Sequence, residues 1–247
     1  MRGVLRTALL LLLAAGGAAC RPDVPILTWH SIGGAGDELT VSEAAFAAQL
    51  DALRNAGFHT VTFHEWLEHE DRGASLPEKP ILLTFDDGYQ DALTAALPAL
   101  RARGMRGTFF LVSRWIGLDE SHRFSQGGPG SPRRYLVWPE VRALAAAGME
   151  IGSHGATHAR LPDLTEQQAL GELTGSRREL ETGLGAPVEV FAYPYNASRR
   201  RLRALVRKAG YRAAVSGSAH GGADRYELHR TGVQRSTSPE QLLGALR

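Results

Sequence analysis

Short apolar runs alternate with segments of helical periodicity along the chain, and this alternation constrains the fold more than any other feature. Runs of strand length include VPILTW, HTVTF, ILLTF, GTFFLV, MEIGS, VEVFAY and YRAAVS, and helical segments separate them. Strands that alternate with helices form parallel βα units. Seven or eight such units favour a barrel over an open sheet for a chain of 247 residues, although the pattern alone does not decide between them.

The N-terminus has the layout of a secretory signal peptide. Two arginines precede an apolar run at 8–15, and small residues follow it. The run is shorter than the ~20 apolar residues of a membrane span. The lone cysteine, Cys20, follows GGAA and resembles the lipid-bearing cysteine of a bacterial lipobox; a plain cleaved signal with an incidental cysteine is the alternative. We expect residues 1–20 to be a lipoprotein signal and 21–247 to be one exported, lipid-anchored domain in the cell envelope.

Two local signals refine the prediction for the elements. Thr40 followed three residues later by Glu43 is a capping-box pattern and predicts the start of the first helix. Pro98 lies inside a helical pattern and predicts a kink. The net charge of +2 is too small to indicate a nucleic-acid partner.

Ionisable side chains follow several predicted strands at the point where each strand ends. Asp86 and Asp87 end the apolar run ILLTF, and His154 and His158 follow MEIGS. In a barrel of parallel strands the functional residues lie at the carboxyl ends of the strands. His30 stands in the same position after ILTW.

Two imidazoles and one carboxylate form a ligand set typical of catalytic zinc, with positions open for water and substrate. One aspartate of the pair could bind the metal while the other acts as a base, and a cation would relieve their mutual repulsion. Each motif by itself has an ordinary explanation, because Asp-Asp-Gly is common in turns and paired histidines are common on surfaces. Their joint occurrence at strand ends favours a metal site.

Three motifs together resemble a known family. TFDDG (84–88), SHGATH (153–158) and FAYPYN (191–196) are similar, in order and rough spacing, to motifs of the NodB-homology polysaccharide deacetylases, carbohydrate esterase family 4. The resemblance covers about residues 24–240. It implies a distorted (β/α) barrel of about seven strands within the α/β class. It also implies a divalent metal, usually zinc with Co²⁺, Ni²⁺ or Fe²⁺ as alternatives, and hydrolysis of N-acetyl groups on a sugar polymer.

The resemblance assigns a role to each site residue. Asp87, His154 and His158 would bind the metal. Asp86 would be the general base toward water, and the backbone N–H of Tyr195 would help to hold the oxyanion.

The general acid has two candidates. Typical members carry a histidine near the C-terminus, and His229 is the residue in that position. The segment PILTWHSI instead resembles the first strand of a circularly permuted branch, which contains exported poly-N-acetylglucosamine deacetylases of biofilm systems. His30 would be the acid there, and we favour it over His229.

The chain departs from the family pattern at three positions. Ala192 stands where an arginine usually orients the base, Gly155 where a serine or threonine follows the first histidine, and Ala159 where a proline follows the second. The missing arginine leaves open a non-catalytic glycan-binding relative. Peptidoglycan, chitin oligomers or another acyl substrate are alternatives to poly-N-acetylglucosamine.

The segment Ser113–Trp138 is long, rich in Gly, Pro and Ser, and weakly periodic. Such segments are either disordered loops or lids over a site. Trp115 and Trp138 flank it and could stack on sugar rings, with packing as the alternative role.

Overall fold

The computed structural model describes residues 24–33, 37–126, 133–217 and 224–246. The predicted signal peptide and Cys20 lie outside these ranges. Within them, no helix is both long and apolar enough to cross a membrane.

The described residues form short strands and seven α-helices in alternation. The strands are β1 (Ile26–Trp29), β2 (Ser31–Ile32), β3 (Thr40–Val41), β4 (His59–Val61), β5 (Pro80–Phe85), β6 (Thr108–Leu111), β7 (Ser125–Gln126), β8 (Arg133–Arg134), β9 (Glu150–Ser153), β10 (Val190–Ala192), β11 (Ala213–Ser216), β12 (Leu228–His229) and β13 (Thr231–Gly232). The helices are α1 (Glu43–Asn55), α2 (Phe63–Arg72), α3 (Leu97–Arg101), α4 (Trp138–Ala146), α5 (Glu166–Leu184), α6 (Arg200–Lys208) and α7 (Pro239–Gly244).

Eight strands lie side by side in a nearly closed barrel. Their order is β12-β11-β10-β9-β6-β5-β1-β13, and β4 pairs with β5 outside this path. Every pair in this sheet is parallel, as helical crossovers require. The prediction of a distorted (β/α) barrel is therefore confirmed.

A single short segment joins the two ends of the sheet. β12 pairs with β11, β13 pairs with β1, and only Arg230 separates these two strands. The backbone N–H of Arg230 donates to the Ser216 carbonyl at 2.9 Å, and that of Val233 donates to the Thr28 carbonyl at 2.8 Å. The chain thus passes from one edge of the sheet to the other at Arg230.

Alternate residues of each strand belong to two separate apolar clusters, as the period of two in a strand requires. In β5, Leu83 packs in the outer cluster between strands and helices, whereas Leu82 packs in the barrel interior. In β6, Phe109 and Phe110 divide in the same way. Helix α2 contributes three residues to the interior cluster and closes one end of the barrel: Phe63, Trp66 and Leu67.

The predicted start of the first helix needs correction. Thr40 lies in β3, and the N-cap of α1 is Ser42, whose hydroxyl accepts the Ala45 N–H at 3.2 Å. The nearer hydroxyl therefore caps the helix. Around Pro98 the backbone is helical without a break: a π-helical turn at Ala92–Ala96 passes directly into α3, and Pro98 is the second residue of α3. A π-helical turn is one of the usual causes of a kink in a helix.

Candidate active site

The predicted site residues meet at one end of the barrel, where the parallel strands finish. Asp86 and Asp87 directly follow β5, His154 directly follows β9, and His30 directly follows β1. Asp86 and His154 are almost fully buried, and His30 is half-buried. The barrel therefore brings together residues that are far apart in sequence, as predicted.

Asp86 points into the barrel, like Leu82 of β5, and binds the buried Arg230. This arginine was not identified from the sequence. Both Asp86 oxygens accept hydrogen bonds at 2.7 Å from the two terminal nitrogens of Arg230. Arg230 also donates to the hydroxyls of Thr28 and Thr84, at 3.2 Å each, and its guanidinium lies 5.6 Å above the ring of Phe110 in the barrel interior. This is a bidentate, charge-assisted pair in a buried setting.

The charge of Arg230 determines the protonation state of Asp86. Burial on its own would raise the pKa of the Asp86 carboxyl, but the Arg230 charge opposes it most strongly. The net result holds the pKa of Asp86 well below its ordinary value. Asp86 is therefore a carboxylate throughout the physiological pH range.

Arg230 pairs with Asp86, for which the resemblance expected an arginine at the position of Ala192. Ala192 also faces the barrel interior, on β10, and its small side chain leaves room there. The sequence at 227–233, ELHRTGV, could have indicated an inward-facing arginine. Side chains of an extended chain alternate between two faces, so Leu228 and Arg230 share one face and His229 lies on the other. Leu228 packs on the interior cluster and His229 is exposed, which agrees with this phase.

Asp87 and the two histidines form a ligand set that fits a metal ion. Oδ1 of Asp87 lies 3.4 Å from Nε2 of His158 and 3.6 Å from Nε2 of His154, and one ligand atom from each residue lies within 4.8 Å of the others. Oδ1 of Asp87 is buried and has no hydrogen-bond partner among the described residues. A buried carboxylate oxygen without a donor is costly, and a cation between these atoms would remove that cost.

The two histidines present suitable nitrogens to such a cation. Nδ1 of His154 lies 2.8 Å from the Ala192 carbonyl, and because a carbonyl only accepts, Nδ1 carries the proton and Nε2 keeps its lone pair toward Asp87. Burial is the largest cause that lowers the pKa of His158, to about 4. His158 is therefore a neutral imidazole at neutral pH.

Left-handed backbone conformations concentrate at the site. Among the described residues, five non-glycine residues have a positive φ, and four of them lie in the strand-end loops of the site: Asp87, His158, Tyr195 and Asn196. Such conformations cost energy and persist only where the surrounding structure enforces them. The loops are thus held in conformations that a free chain avoids.

Aromatic rings surround His158. The centre of the Trp115 ring lies 5.2 Å from the centre of the His158 ring, and that of the Tyr195 ring lies 4.6 Å from it. The Tyr195 side chain is 63% exposed, so a flat apolar surface borders the ligand set. The buried Tyr135 ring packs on Trp115 from within the protein.

The long segment Ser113–Trp138 is joined to the site through its described parts. The N–H of Leu136 donates to the Gly88 carbonyl at 2.9 Å, and the N–H of Ser113 donates to the Gly155 carbonyl at 3.1 Å. Residues 127–132 lie outside the described ranges. Of the two flanking tryptophans, Trp115 lies at the site, whereas Trp138 packs closely on Gly183 of α5.

The pair of Arg230 and Asp86 gives a stability prediction. We expect Arg230→Met to lower the free energy of unfolding by about 3–5 kcal/mol, because loss of one partner leaves a buried charge unpaired. Adding Asp86→Asn should recover part of that loss. Urea unfolding in the presence of a chelator measures both effects.

Arg106→Met is the matched control, since it breaks a pair with Glu65 whose side chains are 40% and 38% exposed. This variant should lose no more than ~1 kcal/mol. An Arg230→Met protein as stable as the control would show that the buried pair is not needed for stability.

Comparison with known proteins tests the resemblance to the polysaccharide deacetylases. The family model for polysaccharide deacetylases matches residues 73–214. YxkH of Bacillus subtilis (strain 168), whose name assigns it provisionally to the polysaccharide deacetylases, is 29% identical over 218 residues, which cover 87% of this chain and 73% of YxkH. The poly-β-1,6-N-acetyl-D-glucosamine N-deacetylase of Escherichia coli K12 is 31% identical over 133 residues, which cover 52% of this chain and only 20% of that enzyme.

Solved structures share the fold. The Streptococcus pyogenes deacetylase PplD has a TM-score of 0.77 at 22% identity, over 91% of this chain and 98% of that one. IcaB from Ammonifex degensii has a TM-score of 0.76 at 23% identity, over 90% and 96%. With the family match across more than half of the sequence, these findings confirm the resemblance: the chain belongs to the polysaccharide deacetylase family.

Proposed function

We propose that this protein is a metal-dependent hydrolase that removes N-acetyl groups from an N-acetylglucosamine-containing cell-surface polysaccharide and releases acetate. The division of labour between two adjacent carboxylates carries the proposal. Asp86 is paired with Arg230, whereas Oδ1 of Asp87 faces His154 and His158 without a donor among the described residues. If both carboxylates served only to stabilise the fold, a buried Asp87 oxygen without a hydrogen-bond donor would be a cost with no benefit.

Asp87, His154 and His158 would hold the metal, with zinc as the first candidate and Co²⁺, Ni²⁺ or Fe²⁺ as alternatives. A divalent ion bound there would lower the pKa of a coordinated water and polarise the acetyl carbonyl.

Asp86 would act as the general base. Arg230 keeps it ionised and fixes its orientation, since both oxygens are held by the guanidinium. Each carboxylate oxygen retains a second lone pair, so Asp86 can still accept a proton from the attacking water. The backbone N–H of Tyr195, beside His158, would donate to the developing oxyanion.

His30 would act as the general acid. An amine leaves slowly unless it is protonated, so amide hydrolysis needs a proton donor near the leaving nitrogen. His30 lies within electrostatic range of Asp86 and His158, and its Nδ1 is buried without a hydrogen-bond partner among the described residues. His229 is exposed on the outward phase of its strand, which supports His30 over His229.

The substrate class rests on the relatives. The curated relatives from Escherichia coli and Staphylococcus aureus are named poly-β-1,6-N-acetyl-D-glucosamine N-deacetylases, and we propose poly-N-acetylglucosamine here. Peptidoglycan, chitin oligomers or another acyl substrate would use the same residues. The alternative of a non-catalytic glycan-binding protein rests on the absence of an arginine at position 192. Because Arg230 pairs with Asp86 instead, that absence no longer favours the alternative.

The proposed location follows from the sequence of residues 1–20. We propose export and lipid attachment at Cys20, so that the domain works at the cell envelope.

Acetate release tests the proposed activity. The chain from Arg21 onward should release acetate from N-acetylglucosamine oligomers with zinc and lose this activity with chelator. Asp86→Asn should abolish turnover yet keep the metal, because Asp86 pairs with Arg230 and is not one of the proposed ligands. His154→Ala should lose both.

Bound metal is measured by elemental analysis after gel filtration. Equal metal loss in the Asp86→Asn and His154→Ala proteins would overturn the assigned roles. Stoichiometric zinc without acetate release from any oligomer would point to another acyl substrate or to glycan binding.

The acid role of His30 predicts a dependence on the leaving group. His30→Ala should slow hydrolysis of an N-acetylglucosamine oligomer by roughly 10²–10⁴-fold and slow an activated acetate ester much less, because a phenolate leaves without a proton. His229→Ala is the matched control and should leave both rates unchanged. Full amide activity in His30→Ala would move the acid role to another residue.

Lipid attachment predicts incorporation of a fatty acid at one residue. Cells expressing the full chain and fed labelled palmitate should label the protein and retain it in the membrane fraction, and Cys20→Ser should abolish both. A labelled Cys20→Ser protein would contradict the proposed anchor.

A further inference from the structure

The loop that carries both histidines is held by an acidic residue outside the ligand set. The loop spans residues 154–158, between β9 and a short 3₁₀ turn at Leu161–Asp163. Gly155 has a φ of +84° and His158 a φ of +62°. A left-handed conformation at a non-glycine residue costs on the order of 1–3 kcal/mol, so the loop needs contacts that compensate for it.

Glu172, on α5, provides three such contacts. Its Oε2 accepts the backbone N–H of Ala156 at 3.0 Å and that of Thr157 at 2.9 Å. Its Oε1 accepts the Thr157 hydroxyl at 2.9 Å. Hydrogen bonds to a charged acceptor are stronger than those between neutral groups, and here two consecutive amides of the loop point at one carboxylate.

The helix beneath Glu172 is a rigid support. α5 is 19 residues long and is anchored in the core by four buried residues: Ala169, Leu173, Ser176 and Leu180. Leu173, the next residue after Glu172, is completely buried. The carboxylate is therefore fixed relative to the barrel and not to the loop alone.

The opposite side of the loop is held by the segment after β6. The N–H groups of Ser113 and Arg114 donate to the carbonyls of Gly155 and Ala156, at 3.1 Å each. These bonds use the loop's carbonyls, and Glu172 uses its amides. The backbone between the two histidines is thereby fixed from both sides.

Gly155 leaves space beside the loop for the Glu172 carboxylate. A Cβ at Gly155 would lie 3.4 Å from Oε2 of Glu172, so the carboxylate occupies the space beside the glycine. The loop and the helix are complementary at this point.

We infer that Glu172 is a positioning residue for the metal-ligand loop. It acts through the amides of Ala156 and Thr157 to set His154 and His158 in the orientation in which both face Asp87. This inference rests on the proposed function, since it assigns Glu172 to the metal ligands of the same site. Glu172 contacts neither imidazole in the described hydrogen bonds.

Metal affinity tests the inference without relying on activity. The metal-free chain from Arg21 onward would be titrated with zinc against a chromophoric chelator, and with Co²⁺ while its visible absorption is recorded. We expect Glu172→Ala to weaken affinity by about 10–100-fold, as loss of outer contacts to ligands does elsewhere, and to change the Co²⁺ spectrum. Thr157→Val removes one of the three bonds and should have a smaller effect.

Two further variants make the test specific. Glu172→Gln keeps the shape of the side chain but removes its charge, and should weaken affinity even if Glu172→Ala folds poorly. Glu166→Gln makes the same charge change at an exposed position of the same helix and should bind zinc like the wild type. Circular dichroism and thermal melting would confirm that each variant is folded.

The outcomes separate the two proposals. Folded Glu172→Ala and Glu172→Gln proteins with wild-type zinc affinity and Co²⁺ spectrum would overturn the role of Glu172 and leave the proposed function intact. A wild-type protein that binds neither metal would overturn both. Weaker affinity in the Glu172 variants, with Glu166→Gln unchanged, would establish Glu172 as the support of the loop.

Discussion

The ion pair between Arg230 and Asp86 is the interaction on which the rest of the site depends. Two adjacent carboxylates at the end of a buried strand repel each other and lose hydration. Arg230 neutralises one of them from within the protein, by two hydrogen bonds of 2.7 Å. Asp87 is then the carboxylate left for an external cation, together with His154 and His158. One fixed internal charge therefore separates the roles of two chemically identical neighbours.

The same residue links the site to the closure of the barrel. Arg230 separates β12 from β13, the strands that pair with opposite edges of the sheet. Its guanidinium bonds Thr28 of β1 and Thr84 of β5 as well as Asp86. The segment that completes the barrel therefore also carries the guanidinium that keeps Asp86 ionised.

Much of the fold and part of the site could be predicted from the sequence, and the boundary between success and failure is physical. Asp86, Asp87, His154 and His158 belong to short motifs next to apolar strands, so local spacing was enough to find them. Arg230 was missed because it lies 144 residues from Asp86 in sequence and only the closed barrel brings them together. Glu172 was missed for a different reason: it lies only 15 or 16 residues from the amides that it binds, but a contact from a helix to backbone amides leaves no motif in the sequence. The Thr40 cap failed because a nearer hydroxyl, Ser42, competed for the same helix end.

The contrast between Ala192 and Arg230 shows which property of the site is constrained. A guanidinium can reach the centre of a narrow barrel from an inward-facing position on more than one strand, because its long side chain spans the interior. Arg230 reaches the interior from the position between β12 and β13, and Ala192 of β10 faces the same interior with a small side chain. The Ala192 carbonyl still accepts from Nδ1 of His154 at 2.8 Å, because this contact uses only the backbone. In this chain Arg230 therefore supplies the cation beside Asp86, which the resemblance had placed at Ala192, and Ala192 supplies only the carbonyl beside His154.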